Sequence, residues 1–239
     1  MRGDIRAIAD DLHADTVEVT GDGVERLNAT ASEVAGRGLH VWLQPTLGDV
    51  PERDILEHLA EAGRHGERLR KQGARVTLAV GCEFWLFVPG ADVFERIDNL
   101  EKGNFDLAKV QKRLAAFTAK AAAVGRSVFR GRLSYAAMQD PSFENVDWNL
   151  FDIVGIDYYS YFPQRADYVR ELRKFQRWGK PLAITSSAPV RSSAPRSRAG
   201  WAGASSTTPR HRRRSRGTWC AVNAYRPRIS PISSTSSSR

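Results

Sequence analysis

The sequence predicts an α/β fold of parallel strands covered by helices. Three observations carry this. Strand-like and helix-like patterns alternate through residues 1–185 with short connections. Apolar runs such as Asp152–Ile156 suit strands covered on both faces, and the strands end in polar or aromatic residues just before a loop.

Taken in order, Ile5–Leu12 has helical spacing and Thr16–Thr20 alternates as a strand, with Glu18 pointing out of it. Val24–Ala35 is helical again. Leu39–Gln44 reads as the next strand, closed by Pro45, which cannot donate to a ladder. Pro51 suits the first turn of a helix whose apolar face is Ile55, Leu56, Leu59 and Leu69, ending at Gly73. Val76–Val80 forms a third strand, followed by a loop from Phe84 to Gly90, a helical stretch from Val93 to Leu100 and a longer one from Leu107 to Val124. Strands at Arg132–Ala136 and Asp152–Asp157, a helix over Ala166–Trp178 and a last strand at Leu182–Ile184 complete the periodic part. No sequence period repeats.

Strands of this kind predict an incomplete (β/α)8 TIM barrel that lacks its first and last strands, with the site at the C-terminal strand ends. A doubly wound open sheet is the competing architecture. Gly21-Asp22-Gly23 lacks the third glycine of a dinucleotide fingerprint, so that alternative has little support. The open edges of a partial barrel predict poor solubility.

Composition divides the chain at Thr185. Residues 186–239 hold 11 Arg and 14 Ser but no Asp, Glu or Lys, so this segment carries +11 of a chain whose net charge is +9, leaving residues 1–185 at −2. The expected organisation is a partial barrel domain over 1–185 and a disordered Arg/Ser-rich tail over 186–239. The tail also reads as a displaced reading frame. Restoring one base before Ser186 lets Ser186–Val190 encode Glu-Phe-Gly-Thr-Cys, and the same displacement over Cys220–Arg239 permits an amphipathic helix. The product would then be truncated.

Cys82 and Cys220 lie on opposite sides of that break, which argues against a disulfide framework. No run of 18 apolar residues occurs and no basic region followed by an apolar stretch opens the chain, so no membrane partner is expected and the default location is cytoplasmic. His13, His40, His58 and His65 show no metal spacing, and neither a metal nor another cofactor is expected. His58 and His65 are expected to be solvated on a charged helix. Asp10, Asp11, Glu57 and Glu61 are expected on exposed helix faces. A nucleic-acid partner would bind only through Arg212, Arg213, Arg214 and Arg216, by salt-sensitive phosphate contacts.

The chemistry-bearing candidates follow strands. Glu83 comes after Val76–Val80 and is flanked by aromatics; Asp157, Tyr158, Tyr159 and Tyr161 follow Ile153–Ile156; Trp42 and Gln44 end another strand. Glu83 is the candidate catalytic residue. Trp42, Gln44, Trp85, Asp157, Tyr158 and Tyr159 are candidate ligand contacts, because sugar faces stack on aromatic rings and polar groups fix hydroxyls.

The strings VGCEFW (residues 80–85), FDIVGIDYYSYF (151–162) and GKPLAIT (179–185) resemble the fourth, sixth and seventh strands of the clan of retaining glycoside hydrolases built on a TIM barrel. The resemblance is nearest to actinobacterial barrel proteins often labelled abortive phage infection proteins. It implies that Glu83 is the acid/base carboxyl, with Cys82 where the clan usually has Asn, and that the attacking glutamate belongs where this chain has Ser186. It implies a glycan ligand and, without the nucleophile, a product with no turnover. Two other functions stay open: a non-catalytic ligand-binding or phage-defence protein, and a nucleic-acid binder acting through the tail.

Overall fold

The computed structural model describes residues 2–48, 50–87, 106–141, 144–160 and 162–187. Six helices, α1 (Arg2–Asp10), α2 (Val24–Gly36), α3 (Glu52–Lys71), α4 (Phe84–Phe87), α5 (Leu107–Val128) and α6 (Arg165–Arg173), are described there. They alternate with strands β1 (Thr16–Gly21), β2 (His40–Pro45), β3 (Val76–Cys82), β4 (Arg132–Met138), β5 (Val154–Asp157) and β6 (Leu182–Ser186).

The strands form one parallel sheet in the order β1-β2-β3-β4-β5-β6, curled as a partial TIM barrel. Each strand pairs with its sequence neighbour. A doubly wound sheet reverses its order at a switch point, and this one does not.

Alternation along the strands sorts side chains between two environments. Val17, Val19, Val41, Leu43, Leu78, Leu133, Val154 and Ile156 face outward, into the core they share with Leu27 and Val34 of α2, Ile55 and Leu59 of α3, and Phe117 of α5. The intervening positions face the barrel interior, where Trp42, Ala79, Ile153 and Ala183 form a separate apolar cluster. Above it the inward positions turn polar. Close strand approach has its own requirement at Gly155, where a Cβ would lie 2.4 Å from the Tyr135 carbonyl oxygen and 2.8 Å from Ser134 Oγ.

The differences from expectation have local causes. Phe84–Phe87 is one helical turn rather than loop, because the Phe84 ring packs against Phe117 and Tyr135 at centroid distances of 4.8 and 4.9 Å. The helix expected to stop at Val124 runs to Val128, since Gly125 permits close packing: a Cβ there would meet Val80 at 3.0 Å and Leu133 at 3.3 Å. The segment expected as one helix to Trp178 changes at Lys174 to a 3-10 turn, which Gly179 ends at φ 66°. His58 is not solvated. It is buried, its pKa is lowered by desolvation, and Nε2 donates to the Gly21 carbonyl at 3.3 Å. His65 is half-buried and bonds Ser32 Oγ at 3.0 Å. Asp10, Asp11, Glu57 and Glu61 are exposed.

Ser186 belongs to β6, so the strand runs one residue past the compositional break. The expected helix over Val93–Leu100, Tyr161 and the expected disordered tail from residue 188 onward lie outside the described residues. No described helix is long and apolar enough to cross a membrane.

Candidate functional site

At the C-terminal end of β3 the pairing with β4 slips between Ala79 and Cys82. The chain then turns sharply. Glu83 adopts φ 35°, a left-handed conformation uncommon outside glycine, while its N–H donates to the Ala136 carbonyl at 2.8 Å. Its own carbonyl accepts from Leu86 N–H at 2.8 Å, starting α4. The Glu83 side chain is buried, and its pKa is pushed up to about 8, first by burial and then by the negative charges of Asp157 and Glu144.

Glu144 holds this turn in place. Its Oε1 accepts from the Tyr135 hydroxyl at 2.5 Å and from Trp85 N–H at 3.1 Å, and Oε2 accepts from Met138 N–H at 3.2 Å. Tyr135 in turn accepts from Phe84 N–H at 2.6 Å. Burial pushes Glu144 up to about 7, against the pull of those three donors. It lies in an irregular segment with no periodic pattern, so the sequence offered no sign of it.

Asp157, at the end of β5, is the hub. Oδ1 accepts from Thr185 Oγ1 at 2.6 Å and Oδ2 from the Cys82 thiol at 3.3 Å. Burial raises its pKa and these two donors lower it. Burial, reinforced by Asp157, drives the Cys82 thiol well above its ordinary value. Cys82 is therefore a protonated donor, not a nucleophile.

Glu18, which projects from β1, is buried on the inner face. Its pKa is raised to about 8, chiefly by burial and then by Asp157. The signal was present in the strand: Val17 and Val19 meet the helices, which leaves Thr16, Glu18 and Thr20 for the interior. On β2, Trp42 and Gln44 share that interior face. Trp42 Nε1 and Gln44 Oε1 are buried and have no hydrogen-bond partner among the described residues.

Two neighbouring tyrosines part company. Tyr158 is buried against Tyr168 of α6 and Phe175, with ring centroids 5.2 and 6.5 Å away, on the outer side of the sheet and away from the carboxyls. Tyr159 is exposed on the site side: its hydroxyl donates to Ser186 Oγ at 2.9 Å, and its pKa is raised by burial and, after that, by Asp157 and Glu83. Ser186 pairs with Asp157 in the β5–β6 register, and its carbonyl accepts from Tyr158 N–H at 2.7 Å. Trp85 is half-buried in α4, two residues from Glu83. The structure thus gathers Glu83, Asp157, Tyr159 and Ser186, adds Cys82, Glu18 and Glu144, and leaves Tyr158 outside. Among the described residues, no three His, Cys, Asp or Glu side chains converge to hold a metal ion.

No protein-family model and no curated protein matches the chain. Solved structures do match. A GH113 beta-1,4-mannanase superposes with TM-score 0.52 at 15% identity, over 76% of this chain and 63% of that chain. The beta-mannanase from Streptomyces thermolilacinus gives TM-score 0.50 at 19% identity, over 80% of this chain and 66% of that one. A calcium-binding mutant of Bacteroides uniformis beta-glucuronidase 2 gives 0.53 at 15% identity, over 76% of this chain and 22% of that one. At these identities the likeness is one of fold. The chain spans about two thirds of the mannanase chains.

Proposed function

We propose that this chain is a glycoside-hydrolase-like barrel that binds a glycan at the C-terminal strand ends, with Glu83 as the proton-donating carboxyl and no attacking carboxylate. What supports this reading is a buried Glu83, raised to about 8, at the end of β3, together with a serine, Ser186, at the end of β6. A carboxyl with that pKa keeps its proton at neutral pH, as a general acid protonating a glycosidic oxygen requires. The second half of a retaining mechanism has no carboxylate at the end of β6, where this chain has Ser186. It needs a carboxylate about 5–5.5 Å from the first to attack the anomeric carbon, and a serine hydroxyl does not replace it. Tyr159, bonded to Ser186 and within the field of Glu83, links the two positions.

Binding without turnover is thus the reading that the residues favour, and a displaced reading frame from Ser186 onward accounts for the lost carboxylate. The coding DNA tests that origin: no open frame after a one-base displacement beyond Thr185 would refute it. Among the neighbours' substrates, the mannan of the mannanases suits this site better than a glucuronide, which would bring a second negative charge beside the buried Asp157.

Aryl β-mannosides test the chemistry. Wild type is expected to release no phenolate, Ser186→Glu to release it, and Ser186→Glu combined with Glu83→Gln to lose it again. Release by wild type that survives Glu83→Gln would refute the assignment of both positions.

A further inference from the structure

The interior rim carries three buried carboxyl groups, Glu18, Glu83 and Asp157, drawn from β1, the end of β3 and β5. The charges that act on them are those of other carboxyls: Asp157 on Glu18, and Asp157 with Glu144 on Glu83. No described cation answers them. The described Lys and Arg side chains lie on the helices or in the segments leading into strands; Arg75, Arg132 and Lys180, for example, stand at the starts of β3, β4 and β6.

Gln44 supplies an independent sign of a ligand. It is only 5% exposed, it shares the inner face of β2 with Trp42, and its Oε1 has no partner among the described residues. A buried acceptor without a donor carries a desolvation cost that a ligand donor removes. The group that fits an acceptor among carboxyls is an ammonium, which has three N–H donors, a positive charge and no lone pair to clash. Trp42 Nε1–H, equally unpartnered, requires an acceptor, which a sugar hydroxyl offers.

We infer that the site selects a carbohydrate bearing a protonated amine, a glucosamine-type glycan, with Glu18 and Gln44 receiving the ammonium and Trp42 a hydroxyl. This rests on the glycan reading above. A divalent cation is the poorer occupant, since no three described ligating groups converge and such ions need six or more oxygens. Bulk electrostatics do not favour a cation either, because the whole chain carries +9; the attraction is local. Ammonium binding stabilises the ionised carboxyls, so it releases protons from Glu18 and Glu83, the groups that hold them at neutral pH.

Isothermal titration of the full chain at about pH 6, where an amine is charged, compares the tetrasaccharides of glucosamine, N-acetylglucosamine and mannose. Two buffers of different ionisation enthalpy count the protons. The glucosamine oligomer is expected to bind roughly tenfold or more tightly than either neutral one, the worth of a charge-assisted hydrogen bond, and to release protons. Glu18→Gln and Gln44→Leu are each expected to weaken the glucosamine oligomer more than the neutral ones and so to narrow that gap. Neutral oligomers binding as tightly as the amino-sugar oligomer would overturn this inference and leave the glycan reading standing. If no saccharide binds, both fall. Spermidine binding as tightly as the amino-sugar oligomer would refute the carbohydrate part.

Discussion

Replacing Glu18 by Gln should make the protein more stable at high pH and leave it nearly unchanged at low pH. Glu18 has a folded-state pKa of about 8 against an ordinary 4.5, with burial the main cause. Between those values the folded chain holds a proton that the unfolded chain has released. The unfolded state therefore binds fewer protons, and wild-type stability falls as pH rises through that window, by about 1.4 kcal/mol per pH unit. Above pH 8 the whole penalty is present, about 5 kcal/mol at most, because water entry and coupling to Asp157 reduce it. Gln keeps the shape and cannot ionise. Urea denaturation followed by tryptophan fluorescence at about pH 5, 7 and 9 and constant ionic strength should show the variant and wild type within about 1 kcal/mol at the lowest pH. At the highest, the variant should lead by several kcal/mol. Stability curves that run parallel across the whole range would refute the argument, since they would show that Glu18 ionises at no cost.

Tyr135→Phe removes the shortest bond to Glu144 and should destabilise by about 1–3 kcal/mol in urea, as expected when a buried carboxyl loses a donor. Glu144→Gln should stay closer to wild type above neutral pH, because the ionisable group pushed up to about 7 is gone. Gly155→Ala drives a methyl into the Tyr135 carbonyl and should cost about 3 kcal/mol or more or leave the chain insoluble; a Tm within a few degrees of wild type would contradict the observed β4–β5 spacing. If the chain binds DNA through Arg212, Arg213, Arg214 and Arg216, deletion of residues 188–239 should abolish the binding in a mobility-shift assay, and retained binding would exclude that segment as its source.

Much of the rim was legible because chain order fixes where strand ends fall. Position alone placed Glu83, Gln44 and Asp157 there: each lies where an apolar or alternating segment gives way to polar residues, and in a parallel sheet all such ends lie on one rim. Glu144 was not legible, because it joins the site through hydrogen bonds from Tyr135, Trp85 and Met138, which no local pattern announces. Tyr158 and Tyr159 look alike in sequence. Strand alternation after Asp157 sends the first to Tyr168 and the second to Ser186.

The sequence by itself determined the succession of strands and helices, since the spacing of apolar residues decides which segments bury one face or two. It also determined that a serine follows Thr185, because residue identity there owes nothing to folding; that Ser186 belongs to β6 came from the structure. Only the tertiary structure decided which polar side chains turn inward and which charges they meet. Glu18 on β1 and Glu83 after β3 are far apart along the chain, and the curl of the sheet brings both within the field of Asp157. Their protonation is a property of that shared, water-poor interior, where burial and like charge act together, and neither exists until the strands have paired.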